Sequence, residues 1–165
     1  MSGVVALTAK AGSYEAMLTT ATLHNRTTLM EEMRVRGLQR IEVAYEGGGD
    51  SGGFYSVESE PKHNLAAIKA LNYGVRGERL PGDEAAGSHP KWVYSLVETL
   101  GSVLDLAKDV ASQALEQAGH NGYENGEGGQ GTVIIELSSG KGRIVVDHED
   151  NIVEVVTSTT EIEIT

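Results

Sequence analysis

The stretch from Tyr45 to Gly53 constrains the fold more than any other part of this chain, because five of its nine residues are glycine. Glycine reaches backbone conformations with positive φ that other residues avoid. Strand-like sequence flanks the run on both sides. The run therefore predicts the tip of a β-hairpin with a specialised turn. Its polar side chains are Glu46, Asp50 and Ser51.

The residues before and after this tip have the two-residue period of half-buried strands. Ile41, Val43 and Tyr45 alternate with more polar neighbours, which predicts a strand that leads into the tip. A second strand opens at Phe54 and ends near Glu60. The two strands form the arms of the hairpin.

Two helices are predicted outside the hairpin. The first runs from Ser13 to about Arg36, with Gly37 as its C-terminal stop. The second begins at Pro90 and ends near Ala118, because apolar residues recur at intervals of three and four throughout it. The segment 61–91 between the hairpin and this second helix carries all three prolines and has no clean period. It reads as an irregular insertion with a short helix around His63–Leu71.

A second glycine-rich segment, residues 122–131, precedes three short strand-like runs. These runs cover 132–137, 143–147 and 152–157, and the last of them continues to 161–164. Short β-rich runs joined by tight turns predict an antiparallel meander. A short strand is also expected at Val4–Leu7.

The fold class that follows is α+β. We expect an antiparallel sheet of about five strands, built from the N-terminal hairpin and the C-terminal meander, with two main helices packed on one face. The length of 165 residues is that of one domain, so we expect residues 1–165 to form a single domain.

This topology brings the two glycine-rich segments to the same end of the sheet. The second hairpin strand runs away from the tip, and the long helix carries the chain back toward it. The polar residues of both segments would then face a common region. The candidate binding residues are Glu46, Asp50, Ser51, Glu124, Asn125 and Glu127.

The net charge of −11 is concentrated in the second half of the chain. Residues 92–165 carry three Lys and Arg against thirteen Asp and Glu, a net charge of −10. An acidic field repels nucleic acid and attracts basic proteins. The leading interpretation is therefore a non-enzymatic binding protein that engages the basic surface of a partner protein, and direct binding of nucleic acid is not expected.

Absences in the sequence restrict the location and the chemistry. The chain has no cysteine, which fits a reducing compartment and removes thiolate zinc sites. It has no apolar run near the ~20 residues that span a bilayer, and its N-terminus lacks the pattern of a signal peptide. We therefore expect a cytoplasmic protein without a membrane segment.

Residues 49–53 match the Gly-Asp-Ser-Gly-Gly sequence around the nucleophile of trypsin-like proteases. Those enzymes need two β-barrels, and a buried Asp lies between the histidine and the serine in the sequence. Here Ser51 follows His24 by only 27 residues, within a much shorter chain. Asp, Ser and Gly are also common turn residues, so the motif predicts a turn and no catalytic residue is assigned.

Two alternatives to the binding protein remain open. The first is a divalent-cation-dependent enzyme or regulator built on the two glycine-rich loops, because hard cations prefer several oxygen ligands on a flexible backbone. Its ligands would be Asp50, Glu46 and Glu124, with His120 as a base. The second is a structural or assembly subunit that forms a homodimer through the edge of the meander.

The two glycine-rich segments and the meander together resemble an uncharacterised bacterial family of small acidic proteins from plasmids and other mobile or phage-related DNA. The segments that carry this resemblance are Tyr45–Gly52 and Tyr123–Gly131. Glu46 stands where that family usually has Asp, and Tyr123 stands where it usually has Trp. The resemblance covers about 38–60 and 92–157, and it leaves the first helix and residues 61–91 outside. It implies the architecture and a mobile-element origin, and it supplies no activity.

Overall fold

The computed structural model describes most of the chain. The described residues are 4–7, 14–82, 87, 91–124, 126–151 and 156–164.

Eight strands, two α-helices and one short 3₁₀ turn are described in this part of the chain. The strands are β1 Val4–Leu7, β2 Arg40–Gly48, β3 Ser51–Glu60, β4 Lys69–Leu80, β5 Lys91–Ser102, β6 Gly129–Ser138, β7 Lys141–Asp150 and β8 Val156–Ile164. The helices are α1 Tyr14–Arg36 and α2 Val103–Gln117, and the 3₁₀ turn is Leu65–Ala67.

The main sheet is antiparallel and has five strands in the order β3-β2-β6-β7-β8. Val43 of β2 is paired with Val57 of β3 on one side and with Val133 of β6 on the other. Val133 is in turn paired with Val146 of β7. The predicted α+β fold, with a sheet made of a hairpin and a meander, is confirmed.

Both helices contribute to a core on one face of this sheet. Leu29 and Met33 of α1, and Leu106 and Val110 of α2, belong to the same buried cluster as the inward residues of β2, β6 and β7. The helices also contact each other. Apolar residues at helical spacing on α2 thus meet apolar residues at strand spacing on the sheet.

A second sheet of three strands, in the order β1-β5-β4, was not predicted as a sheet. The helix predicted from Pro90 to Ala118 was therefore wrong in its first part. Residues 91–102 form strand β5, and α2 begins only at Val103. Ser102 caps α2: its Oγ accepts from the Asp105 backbone N–H at 3.1 Å, and the Asp105 carboxylate accepts from the Ser102 backbone N–H at 3.2 Å. Such a reciprocal cap fixes a helix start. The β-branched and aromatic residues before it favour a strand.

The segment 61–91, predicted to be irregular, contains the twelve-residue strand β4. β4 pairs with β5 along its whole length, from Lys69 opposite Ser102 to Leu80 opposite Lys91. The helix expected at His63–Leu71 is reduced to the 3₁₀ turn. Much of β4 is exposed, so its residues do not alternate between polar and apolar, and the two-residue period is missing from the sequence.

The remaining elements agree with the prediction. α1 ends before Gly37, whose φ of 68° is the left-handed conformation of a helix C-terminal glycine. Ser13, where this helix was predicted to begin, lies outside the described residues. Residues 152–155 of the strand expected at 152–157 also lie outside them. Neither helix among the described residues is long and apolar enough to cross a membrane.

Candidate functional site

The two glycine-rich segments meet at one end of the five-stranded sheet, as predicted. β2 and β6 are antiparallel, so Gly47 near the hairpin tip lies opposite Gly129 at the start of β6. The Gly49 backbone N–H donates to the Gly126 carbonyl at 2.9 Å. The Asn151 N–H, just after β7, donates to the Gly128 carbonyl at the same distance.

Glycine is required in this junction because the two backbones nearly touch. A Cβ placed on Gly128 would lie 1.7 Å from the Gly47 carbonyl oxygen, and the φ of Gly128 is +84°. A Cβ on Gly47 would lie 2.8 Å from the Glu124 Cα. Neither position accepts a side chain unless the facing backbone moves, so the glycines allow a close backbone approach as well as a turn.

The described members of the predicted binding set lie around this junction. Asp50 occupies the hairpin turn with a φ of 64°, and the Ser51 hydroxyl donates to the Gly48 carbonyl at 3.4 Å. Glu46 is exposed on β2. The acidic residues of the second loop are Glu124, whose Cα abuts Gly47, and Glu127, which lines a cavity. Asn125 lies outside the described residues.

The glycine-rich tip suggested two kinds of chemistry, a serine nucleophile and a cation site. The described residues offer little support for either. His24 stacks on Tyr73 and hydrogen-bonds Thr28 on α1, so it does not reach the hydroxyl of Ser51. Within the described residues, no group of three or more His, Cys, Asp or Glu side chains is arranged to hold a metal ion.

A buried hydrogen-bond chain behind the junction was missed by the sequence reading. The Tyr45 hydroxyl lies 2.6 Å from His148 Nδ1, and His148 Nε2 lies 2.6 Å from the Asp150 carboxylate. A carboxylate only accepts hydrogen bonds, so Nε2 carries the proton that is donated to Asp150. In the neutral imidazole, Nδ1 then accepts from the Tyr45 hydroxyl. Both ring nitrogens of this buried histidine are thereby satisfied.

The surroundings of Tyr45 keep its phenol protonated. Burial raises the pKa of Tyr45 well above its usual range, and the neighbouring Tyr123 and the negative charges of Asp150 and Asp147 raise it further. Tyr123 also packs its ring edge against Tyr45, with 4.8 Å between the centroids. Tyr45 therefore acts as a hydrogen-bond donor and a core residue.

A second histidine extends this chain toward solvent. The His120 ring, just after α2, stacks on the His148 ring at a centroid distance of 3.9 Å, and its Nε2 is hydrogen-bonded to Ser158 Oγ at 3.1 Å. Burial lowers the pKa of His120, and the electrostatic effect of the adjacent His148 lowers it further, against an opposing effect of Asp150. His120 is thus predominantly neutral at neutral pH.

These groups line a cavity of about 450 Å³, which we call the loop pocket. Its lining residues are His120, Tyr123, Glu127, His148, Asp150 and Asn151, together with Gly119, Gly122 and Gly128. The pocket lies on the helix side of the sheet, where the second glycine-rich loop crosses the end of β7.

The sequence does contain a weak signal for Tyr45 and His148. His148 continues the buried positions Ile144 and Val146 at the two-residue spacing of β7, and Tyr45 continues Ile41 and Val43 in the same way. The strand predicted at 143–147 ended one residue before His148. A strand that extends to Asp150 places His148 on the inward face, where an imidazole needs hydrogen-bond partners.

The opposite face of the five-stranded sheet, which we call the outer face, is strongly acidic. Strand alternation from the buried positions places nine acidic and three basic residues on it. The acids are Glu42, Glu46, Glu58, Glu60, Glu136, Asp147, Glu149, Glu161 and Glu163, and the bases are Arg40, Lys141 and Arg143.

The protein has an α+β fold in which two glycine-rich loops close one end of the five-stranded antiparallel sheet. This sheet is made of a hairpin and a meander, and it carries the loop pocket and the outer face. The chain belongs to the Family of unknown function (DUF6878), whose model matches residues 21–162. This match includes residues 61–91 and most of α1, which the resemblance had left outside. No curated protein and no solved structure matches the chain.

Proposed function

We propose that this chain is a non-enzymatic binding protein whose outer face engages a basic surface on a partner protein. The observation that carries the proposal is the excess of carboxylates on that face, nine against three basic residues. A patch of one sign attracts a partner of the opposite sign and excludes nucleic acid.

Two of the three bases on the outer face, Arg40 and Arg143, are already paired with carboxylates of the same face. Arg143 lies 2.9 Å from Glu136 and 3.7 Å from Glu161, and Arg40 lies 2.8 Å from Glu42. The remaining acids are left to attract an incoming cation. These pairs are open to solvent, with the Glu161 side chain 61% exposed, so they contribute little to folding stability.

An exposed aromatic ring adds a contact for a basic side chain. Tyr55 is the extra residue of a β-bulge, since Ala44 pairs with Ser56 and Tyr45 pairs with Phe54, and Tyr55 is 66% exposed. It borders a groove of about 460 Å³ that Asp147 and Glu149 also line. A guanidinium group can lie on an aromatic ring and donate to carboxylates at the same time.

The finer parts of the proposal come from the resemblance and the composition. They are a phage or mobile-element origin, a cytoplasmic location, and a host partner that handles nucleic acid or acts in defence. The charge of the outer face supports this kind of partner, because proteins that bind nucleic acid present basic surfaces.

A binding titration with a fluorescent deca-arginine peptide tests the proposal. The variant with Glu58, Glu149 and Glu163 each replaced by Gln should bind about tenfold more weakly, and wild-type binding should weaken steeply as salt rises. The matched control replaces Glu15, Glu31 and Glu116, which are exposed on the helices. An equal loss in both variants, or affinity that ignores salt, would overturn the assignment to the outer face.

A further inference from the structure

The loop pocket is an open cavity with the size of a small binding site, and the binding-protein proposal does not use it. Its volume of about 450 Å³ suits a small molecule or one long side chain. It lies on the helix side of the sheet, away from the outer face. Any ligand of the pocket is therefore separate from the contact proposed for the acidic face.

Among the described residues that line the pocket, the acidic ones are Glu127 and Asp150, and none is Lys or Arg. The Asp150 side chain is 51% exposed, and its Oδ1 is held by the buried His148 at 2.6 Å. This bond orients the carboxylate and leaves its second oxygen to accept from a ligand. An anionic ligand would meet repulsion here.

Aromatic rings and the partial negative charge at the end of α2 add to the preference for positive charge. The rings of His120 and Tyr123 line the cavity together. Stacking on His148 and the bond to Ser158 hold the His120 ring in place. α2 ends at Gln117, immediately before the pocket, and the C-terminal end of a helix carries partial negative charge. Ring faces and carbonyl groups both attract cations.

We propose that the loop pocket binds an organic cation with N–H donors, a guanidinium or primary ammonium group, between the carboxylates of Glu127 and Asp150 and the rings of His120 and Tyr123. Such a group donates hydrogen bonds to both carboxylates and lies against the rings. A bare metal ion has no hydrogen to donate and would gain less from contact with the rings. This cation has two sources: the side chain of an arginine or lysine on another protein, or a free small amine.

The first experiment distinguishes cation from neutral ligand and separates the two sources. Nitrogen-15 NMR spectra of the backbone amides are recorded during titration with agmatine, with a blocked arginine (N-acetyl-arginine methylamide), and with the same derivative of citrulline, its neutral isostere. The charged probes should shift the amides of Gly119, Gly122 and Gly128, and the citrulline probe should not. Tighter binding of agmatine identifies a free amine, and tighter binding of the blocked arginine identifies a protein side chain.

The second experiment locates the site with a matched pair of variants in one loop. Glu127 lines the pocket and Glu124 is not among its lining residues, so Glu127→Gln and Glu124→Gln remove the same charge from neighbouring positions. E127Q should weaken binding of the preferred charged probe about tenfold, the loss expected for one charge-assisted hydrogen bond, and E124Q should leave it within about twofold. Equal losses, equal binding of the citrulline probe, or no shift with either cation would each overturn the proposal. The outer-face triple variant should bind the probe as wild type does, so the two proposals can fail separately.

Discussion

The two sheets of this protein are held by different interactions. In the five-stranded sheet, alternate residues are fully buried against the helices, among them Ile41, Ile135 and Ile144. In the three-stranded sheet, β4 and β5 pair over twelve residues but leave large apolar side chains in solvent, including Trp92, which is 60% exposed. Burial of apolar side chains stabilises the five-stranded sheet. Backbone hydrogen bonds contribute a larger share of the stability of the three-stranded sheet.

Both proposed binding surfaces lie on the sheet with the larger buried core. The loop pocket and the outer face both belong to the five-stranded sheet, whose strands are fixed in register by their buried residues. The distal part of β4 and β5, where both strands are mostly exposed, has no comparable restraint. We expect substitutions of the same type to cost far more in the first sheet than in the second.

The largest difference is expected between two strand glycines. A Cβ on Gly131 of β6 would lie 2.0 Å from the Asp147 carbonyl oxygen and 2.7 Å from the Tyr45 hydroxyl, whereas a Cβ on Gly74 of β4 meets nothing within 4 Å. Gly131→Ala should lower the free energy of unfolding by about 3 kcal/mol, since β6 and β7 must separate to admit it. Gly74→Ala should change it by at most about 1 kcal/mol.

Urea unfolding of both variants, followed by far-UV circular dichroism, measures this pair. Neither glycine has positive φ, so backbone strain does not confuse the comparison. Similar losses in the two variants would show that close backbone approach is not what distinguishes the sheets.

The same contrast explains which parts of the fold could be predicted from the sequence. β2, β6 and β7 have one buried face, so Ile41, Val43 and Tyr45 alternate visibly with polar residues. β5 is followed directly by α2, and Leu96, Leu100, Val103 and Leu104 happen to be spaced as on a helix. Only the Ser102-x-x-Asp105 capping pattern marked the true start of α2, and the sequence reading did not use it.

The candidate site could be predicted only as far as backbone topology determines it. The meeting of the two glycine-rich loops follows from antiparallel pairing of β2 with β6. The contact between Tyr45 and His148 joins residues 103 positions apart, and it depends on a register that no local pattern specifies. Sequence motifs therefore could not predict their hydrogen bond. Strand alternation could predict only that each of the two residues faces inward.

The second prediction compares two tyrosine hydroxyls. Tyr45→Phe removes the donor to His148 Nδ1 and leaves a buried acceptor unpaired, which should lower the free energy of unfolding by about 2 kcal/mol. Tyr94→Phe, in the three-stranded sheet, retains the ring that contacts Tyr14 and should cost less than about 0.5 kcal/mol. Thermal unfolding at neutral pH measures both. Equal losses would mean that the buried chain adds nothing to the stability of the five-stranded sheet.

The smallest effect concerns pH. Burial lowers the pKa of His120, next to the five-stranded sheet, and of His24, which stacks on Tyr73 of the three-stranded sheet. A histidine with a lowered pKa binds fewer protons in the folded protein than in the unfolded chain, so stability falls as pH drops below the ordinary value of 6.5 until the folded pKa is passed. The adjacent His148 adds to the lowering of the His120 pKa while Asp150 opposes it, and Glu98 opposes the lowering of the His24 pKa.

His120→Gln should therefore flatten the loss of stability between neutral and mildly acidic pH more than His24→Gln does. Glutamine keeps a polar side chain that does not titrate, so Ser158 still has a group to bond, and the comparison isolates the proton. The urea midpoint of each variant, measured across this pH range, gives the slope of its stability against pH. If His24→Gln flattened the profile more, His120 would not be the more acid-sensitive of these two histidines.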